Sequence, residues 1–316
     1  MKEAAVMDVE LAWLRTWLEV VDSGGFARAA ARLHLSQPRV SARVASLERA
    51  LGCVLIERRM RPLTLTDDGR RLLPRARLIV TEVDDTVSDL RATAGSITGK
   101  LAIASFASGS SEFLPGILKQ LRTANPLLEI AVLDGDVQIS DEWLSDRRAA
   151  VALRPLRPEP ADHAWIHRGL WREPFAVLAP PGHPILTVDA IGLEDVAAHP
   201  MITIGDPLGD PSLGYEAWSA MQSSRIEPAG GIVSHQPTTL AAMVRAGHGV
   251  GLINCLAAAM VRTDGLEVRQ VASHQLYRDV GIWWPSERPL SRAAQAFVDL
   301  VLSAERPAGT LPIPAA

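Results

Sequence analysis

The sequence predicts an α/β protein in two parts. A helical module built around a helix-turn-helix comes first, and a long helix joins it to a larger body of alternating strands and helices. Three observations carry this expectation. Apolar residues recur at helical spacing through roughly the first 94 residues, arginine is concentrated in that same stretch, and beyond residue 98 short strand-length apolar runs alternate with helical ones. A length of 316 residues suits two or three domains, and 47% hydrophobic residues suffice for a sizeable core.

Residues 8–22 read as one amphipathic helix, because Leu11, Leu14, Trp17, Leu18 and Val21 form a single stripe, ended by Gly24 and Gly25. Phe26 to Leu33 form a second short helix whose small Ala29 and Ala30 let another helix approach closely. His34 and Leu35 make a tight turn. Ser36 is then a suitable N-cap, and Pro38 falls in the first turn, where its missing N–H costs nothing. Along the third helix Val40, Val44, Leu47 and Leu51 face inward, Gln37, Arg39, Ser41, Arg43 and Ser46 occupy the other faces, and Gly52 stops it. This spacing is that of a helix-turn-helix.

The runs "VLIERR" and "RPLTLT" predict a two-stranded wing with an arginine-rich turn. Thr66 caps the next helix, where Asp67 and Asp68 sit at the favourable end of the dipole. That helix is expected to reach about Ala94, roughly 42 Å at 1.5 Å per residue. Its stripe of Leu72, Leu73, Ala76, Ile79, Val80, Val83, Val87 and Leu90 has little of its own domain to cover it, so packing on a second copy is expected. The expected boundaries are 1–66 for the winged module and 67–95 for the long helix.

"AGSITGK" reads as a short linker. Strand-like runs follow at 101–105, 128–133, 149–153, 175–179, 201–205, 231–234, 249–254 and 280–284, with helix-like runs such as Phe113 to Thr123 and Leu290 to Leu302. Strands spaced by helices argue for parallel sheets. The body, 98–305, is expected to hold two lobes, one from about 98–163 with 270–305 and the other from 164–269. The tail 306–316, "RPAGTLPIPAA", reads as disordered.

Charge is unevenly shared. From Gly24 to Arg77 twelve arginines face four acids, a net +8, so the rest of a chain of net −4 carries −12. A basic module on an acidic body points to a polyanionic partner for the module alone. No apolar run approaches the roughly 20 residues of a membrane helix. "MKEAAVMDVE" lacks the features of a signal peptide, which predicts a cytoplasmic protein with no membrane partner. Cys53 and Cys255 are far apart, against a disulfide scaffold, a zinc site or paired redox sensing. His163 and His167 have H-x3-H spacing but a strand- or loop-like setting and no third ligand nearby, so no metal site is expected. No nucleophile elbow, HExxH, P-loop or dinucleotide fingerprint is present, so no enzyme activity and no cofactor are expected.

Several blocks resemble the LysR-type transcriptional regulators, in family order and over nearly the whole chain. They are "GGFARAAARLHLSQPRVSARVASLERALGCVLIERR", "LTLTDDGRRLL", "FLPGILKQLRTANPLLEI", "EPFAVLAPPGHPI" and "AAMVRAGHGVGLIN". The first is highly specific; the last three are moderately so. The resemblance implies a winged helix-turn-helix, a dimerising linker helix and a two-lobed effector domain like a periplasmic binding protein. It implies a homodimer or tetramer on double-stranded promoter DNA, RNA polymerase as a further partner, and a small co-inducer in the cleft. It places Gln37, Pro38 and Ser41 at the base-facing edge. The following position, often basic in the family, is Ala42, and a frequent proline after the "GVGLI" strand is Asn254.

The residue chemistry points the same way. A helix fits the major groove and its N-terminal residues reach base edges. Gln37 can pair with adenine and Arg39 or Arg43 with guanine, each worth about 1–3 kcal/mol of discrimination. Ser36 and Ser41 suit phosphate or base contacts; Arg28 is also expected to contact DNA, and Arg58, Arg59 and Arg61 could meet phosphates or a minor groove. In the body, Ser108, Gly109, Ser110 and Ser111 precede a helix, where N–H groups and hydroxyls favour an anion. The family resemblance assigns that loop to the co-inducer and aligns Thr203 with a second-lobe ligand position. Arg154 ends a strand, where α/β folds place ligands, and is read equally as a carboxylate partner or a plain salt bridge. The expected effector is therefore a small organic anion.

Overall fold

The computed structural model describes residues 8–57, 62–91, 97–160, 165–205, 214–273, 276–286 and 289–314. The chain forms two compact units, residues 1–92 with 145–148, and residues 93–144 with 149–316.

The first unit holds α1 (Leu11–Asp22), α2 (Phe26–Arg32), α3 (Gln37–Leu51), the strands β1 (Ile56–Glu57) and β2 (Thr64–Leu65), and α4 (Asp67–Arg91). Leu14, Trp17, Leu18, Val20, Ala29, Ala30, Val40, Val44 and Leu47 make its core, each less than 10% exposed. The buried side chains are therefore largely those of the sequence stripes. Complete burial of a residue the size of Val44 or Leu47 contributes about 1.5–3 kcal/mol. The turn between α2 and α3 uses His34 at φ 53°, a left-handed conformation that reverses the chain in a few residues. Gly52 closes α3 at φ 68°. Ser36 stands at the N-cap of α3, but its hydroxyl makes no capping bond and is exposed. Thr66 does cap α4, accepting from the Gly69 N–H at 3.0 Å. β1 and β2 pair antiparallel, Ile56 with Leu65 and Glu57 with Thr64. Arg15 of α1 holds Asp84 of α4 through both carboxylate oxygens, and Arg77 of α4, 7% exposed, pairs with Asp22 of α1. On the other side of α4, Ile79, Val83, Val87 and Leu90 are 46, 36, 37 and 83% exposed.

The second unit runs β3 (Gly99–Ser105), α5 (Ala107–Glu112), α6 (Leu114–Ala124), β4 (Leu128–Asp134), α7 (Val137–Ser145), β5 (Val151–Pro155), β6 (Trp165–Ala179), α8 (Leu193–Ala197), β7 (Met201–Ile204), α9 (Tyr215–Ser224), β8 (Gly231–Ser234), α10 (Pro237–Arg245), β9 (Val250–Asn254), α11 (Cys255–Met260), β10 (Glu267–Gln270), β11 (Tyr277–Pro285) and α12 (Arg292–Ser303). Strands follow the order β4-β3-β5-β11-β6-β9-β7-β8, with β10 also on β6. The sheets are mixed rather than parallel throughout: β4–β3–β5 and β8–β7–β9 are parallel, whereas β5–β11, β11–β6, β6–β9 and β6–β10 are antiparallel.

Two corrections to the sequence reading follow. β6 is one strand of 15 residues; its Trp165–Pro174 part pairs with β11, and its Phe175–Ala179 part pairs with β9 and β10. The crossing between lobes thus lies at residues 174–175 rather than near 164. The tail is not disordered through residue 314. Leu311 bridges Arg172 of β6 with two backbone hydrogen bonds of 2.8 Å, and Thr310 is buried. Ile313 fills the space a side chain would need at Gly169, where a Cβ would lie 2.8 Å from it. The composition concealed a backbone bridge at Leu311 and an apolar contact at Ile313.

Candidate DNA-binding face and effector cavity

α3 buries Val40, Val44 and Leu47 and leaves its first turn outside: Ser36, Gln37, Pro38 and Arg39 are all exposed, as is Ala42. Donors and acceptors thus project together from the helix start, the end that reaches base edges when a helix enters a groove. Ser41 is half-buried on the same element. Arg43 is placed differently from expectation. It is half-buried, and its guanidinium donates to the Thr16 hydroxyl of α1 at 3.3 Å, while Thr16 donates to the Ala12 carbonyl at 2.7 Å. Arg28 is exposed and donates to the Gly24 carbonyl at 2.8 Å, beside the turn that starts α2. Arg58, Arg59 and Arg61 lie outside the described residues.

In the second unit a cavity of about 750 Å³ opens between the two sheets, lined on one side by Phe106, Ser108, Asp134, Asp136, Pro155 and Arg278 and on the other by Thr203, Tyr215, Glu216, His235, Leu252 and Asn254. Ser108 is 3% exposed and accepts a hydrogen bond from Arg278 Nη2 at 3.3 Å. Its hydroxyl hydrogen is left to donate. Ser110 and Ser111 also line the cavity, although Ser110 donates to Asp134 and Ser111 to the Ser108 carbonyl at 3.4 Å. Gly109 sits behind them, where a Cβ would crowd Phe106 at 3.0 Å. The segment read as a loop before a helix is itself the short helix α5, so these residues stand within its turns. Thr203 is 2% exposed and donates to the Gly205 carbonyl at 2.7 Å, leaving acceptor lone pairs towards the cavity.

Arg154 does not join them. It is 1% exposed, ion-paired to Asp141 at 3.1 Å, donates to the Pro158 carbonyl at 2.7 Å and lies 4.8 Å over the Trp283 ring. Desolvation lowers its pKa, opposed by Asp141 and Glu216. The salt-bridge alternative is therefore the one realised: the strand end is where expected, but the side chain is buried against Asp141 and Trp283 and does not line the cavity. His167 stacks on Trp283 with centroids 4.3 Å apart, and His163 lies outside the described residues.

Sequence reading did not identify the cluster at the cavity floor. Glu173 of β6 is wholly buried. It accepts from Arg278 Nη2 at 2.7 Å, from Arg278 Nε at 3.1 Å and from the Trp171 indole at 2.8 Å. The Arg278 guanidinium also lies 4.4 Å over the Phe106 ring. Glu173 and Arg278 are 105 residues apart, so only the strand pairing reveals them as partners. Glu216 is half-buried at the start of α9. Desolvation pushes its carboxyl up to about 7; Arg278 and its own backbone N–H pull the other way, and Glu173 and Asp279 add to the rise. Asn254 explains one departure from the family pattern: it caps α11, accepting from the Ala257 N–H at 2.9 Å, at a helix start where a proline would also fit.

Neither cysteine is activated. Burial, with Glu173 adding and Arg278 opposing, pushes Cys255 up to about 12, which leaves roughly one part in 10⁵ as thiolate at pH 7. Burial, with Asp68 and Glu48 adding, also raises Cys53. Among the described residues no helix is long and apolar enough to cross a membrane.

Residues 11–70 match the family model described as "Bacterial regulatory helix-turn-helix protein, lysR family", and residues 94–306 match "LysR substrate binding domain". The transcriptional activator protein LysR of Escherichia coli (strain K12) is 28% identical over 92% of this chain and 91% of its own length. A full-length OxyR point variant from Pseudomonas aeruginosa superposes with a TM-score of 0.74 at 22% identity, over 98% of this chain and 99% of that one. Full-length CbnR in complex with its target DNA gives 0.66 at 23%, over 92% and 98%. The relatives are transcriptional regulators, not enzymes. With the substrate-binding match alone spanning most of its length, the chain belongs to the LysR family of DNA-binding transcriptional regulators.

Proposed function

We propose that this regulator reads an imperfect inverted repeat in promoter DNA as a homo-oligomer, and that a small organic anion held between the two lobes changes how it does so. The observation that carries the reading is the exposed first turn of α3, where Ser36, Gln37, Pro38 and Arg39 project from a helix whose opposite face is the core of its unit. Gln37 and Arg39 are the base readers, with Ser41 at the margin and Ser36 and Arg28 towards phosphate. Arg58, Arg59 and Arg61 are assigned to the backbone or the minor groove on sequence alone. The solved CbnR relative is bound to its target DNA, in keeping with such a role.

The exposed Ile79, Val83, Val87 and Leu90 supply the apolar surface for pairing α4 with a second copy. Two reading helices then address both halves of a repeat, about 34 Å apart for each helical turn of separation. For the effector, Ser108 offers a hydroxyl hydrogen beside Arg278, and helix α7 begins at the same first-lobe wall, which favours an anion there. A ligand shifts the regulator between states only by binding one of them more tightly.

Footprinting upstream of the protein's own gene tests the DNA half. Protection of one imperfect inverted repeat is expected, whereas uniform protection irrespective of sequence would refute it. A thermal-shift screen of small carboxylates against wild type and Ser108→Ala tests the cavity. Equal stabilisation of both proteins by every binding compound would remove Ser108 from the site.

A further inference from the structure

The two walls of the cavity differ in hydrogen-bonding sense. On the first-lobe wall Ser108 is held as an acceptor for Arg278 Nη2, so its own hydrogen points outward for donation. Arg278 Nη1 is unused among the described residues. On the second-lobe wall the reverse holds. Thr203 spends its hydrogen on the Gly205 carbonyl and offers lone pairs. Glu216 has no ion pair and no side-chain partner among the described residues, although it lines the cavity and is half-buried. Gly214, two residues before Glu216, packs on the backbone of Ile204 and Gly205, so Thr203 and Glu216 belong to one patch.

The charges reinforce this division. The lining arginines are ion-paired, Arg278 with buried Glu173 and Arg157 with exposed Glu159. Asp134 is occupied by Ser110, and Asp136 by the Ile139 N–H at 2.8 Å. Among the described lining carboxylates, Glu216 is the one held by no residue but its own backbone N–H. Removing an ionised carboxylate from water without a partner is costly. A purely anionic ligand would make that worse, whereas a ligand with a positive nitrogen would relieve it.

We propose that the small molecule held in this cavity carries a protonated amine as well as its anionic group, with Glu216 and Thr203 receiving the amine and Ser108 and Arg278 the anion. The inference rests on the reading of the cavity as the effector site and narrows the ligand to amino-bearing acids. Glu216 is the specificity-determining residue: it separates an amino acid from the same acid without nitrogen.

The test is calorimetric titration of the full-length protein with the standard L-amino acids and their deaminated counterparts, such as L-leucine against 4-methylpentanoate and L-glutamate against glutarate. At least one amino acid should bind at least about tenfold more tightly than its deaminated partner. Glu216→Gln should abolish that preference by weakening the amino acid alone. Thr203→Val should reduce the preference in the same way and provides the test if Glu216→Gln fails to fold. Deaminated acids binding as tightly as amino acids would overturn the inference, as would an undiminished preference in Glu216→Gln or binding by none of the panel. If the acids bind and Ser108→Ala weakens them, the cavity reading survives that failure. If ligands bind wild type, Ser108→Ala and Glu216→Gln alike, both readings fall.

Discussion

Replacing Glu173 by alanine should cost the effector domain more stability than removing any surface charge. Glu173 is 0% exposed, and its partner Arg278 keeps only 13% of its side chain in contact with solvent. One carboxylate serves two donors, the Arg278 guanidinium and the Trp171 indole. Breaking a buried ion pair from one side costs about 3–5 kcal/mol, because the remaining charge is left unpaired. Arg278 retains Ser108 and the Phe106 face, which places the ionic part at the lower end of that range. The orphaned indole N–H adds about 1–3 kcal/mol, and the two losses overlap because one group causes both. A total of about 4 kcal/mol lowers the melting temperature of a domain of this size by about 8–16 °C. Glu173→Gln keeps an acceptor for Trp171 and loses only the charge, so about half that fall is expected. Circular dichroism melting of the full-length protein measures both. A Glu173→Ala transition within about 2 °C of wild type would refute the claim that this cluster holds the cavity floor.

On an operator fragment obtained by in vitro selection, Arg39→Ala should lose about 1–3 kcal/mol of discrimination at one base pair per half-site. Arg43→Ala should leave base preferences intact, because its guanidinium is engaged with Thr16; a changed consensus would show that Arg43 reads DNA. Glu216 has its folded-state pKa raised from 4.5 to about 7, so its protonated form is favoured in the fold and stability falls as pH rises through that interval. Glu216→Gln should therefore match wild type near pH 4 and be more stable at pH 8 by up to about 3 kcal/mol, in melts at the two pH values; a constant difference would contradict the assignment. Deleting residues 305–316 removes two backbone hydrogen bonds to Arg172 and the cover over Gly169, for an expected loss of about 2–3 kcal/mol in denaturant unfolding. Val83→Glu with Val87→Glu should yield monomers in analytical ultracentrifugation, and an unchanged oligomer would move the interface elsewhere.

The helical module was legible because its information is local. Val40, Val44 and Leu47 repeat with the helical period, and Ser36, Pro38 and Gly52 mark both ends of α3. Ser108 and Thr203 line the cavity; the serine run before a helix pointed to the first, and the family resemblance aligned the second. What failed depended on side-chain direction or on distant partners. Arg154 occupies the expected strand end, yet Asp141 and Trp283 hold its side chain out of the cavity lining. The first ten residues of β6 were missed because Glu173 interrupts their apolar alternation, and it is buried only because Arg278 arrives from β11. The tail was misjudged by composition, which does not register the backbone bridge of Leu311 to Arg172 or the contact of Ile313 over Gly169.

The continuity of β6 limits what a bound molecule can do to the domain. Besides β6 at Pro174–Phe175, the chain returns to the first lobe between β10 and β11. An extended chain is already near its full length at about 3.3 Å per residue, so β6 cannot stretch to let the halves slide apart. Pro174, which has no N–H to give, sits where the strand changes neighbours, and torsion there disturbs the fewest ladder bonds. A turn of one lobe against the other about this nearly inextensible cord would be an angular movement, whose reach grows with distance from the axis.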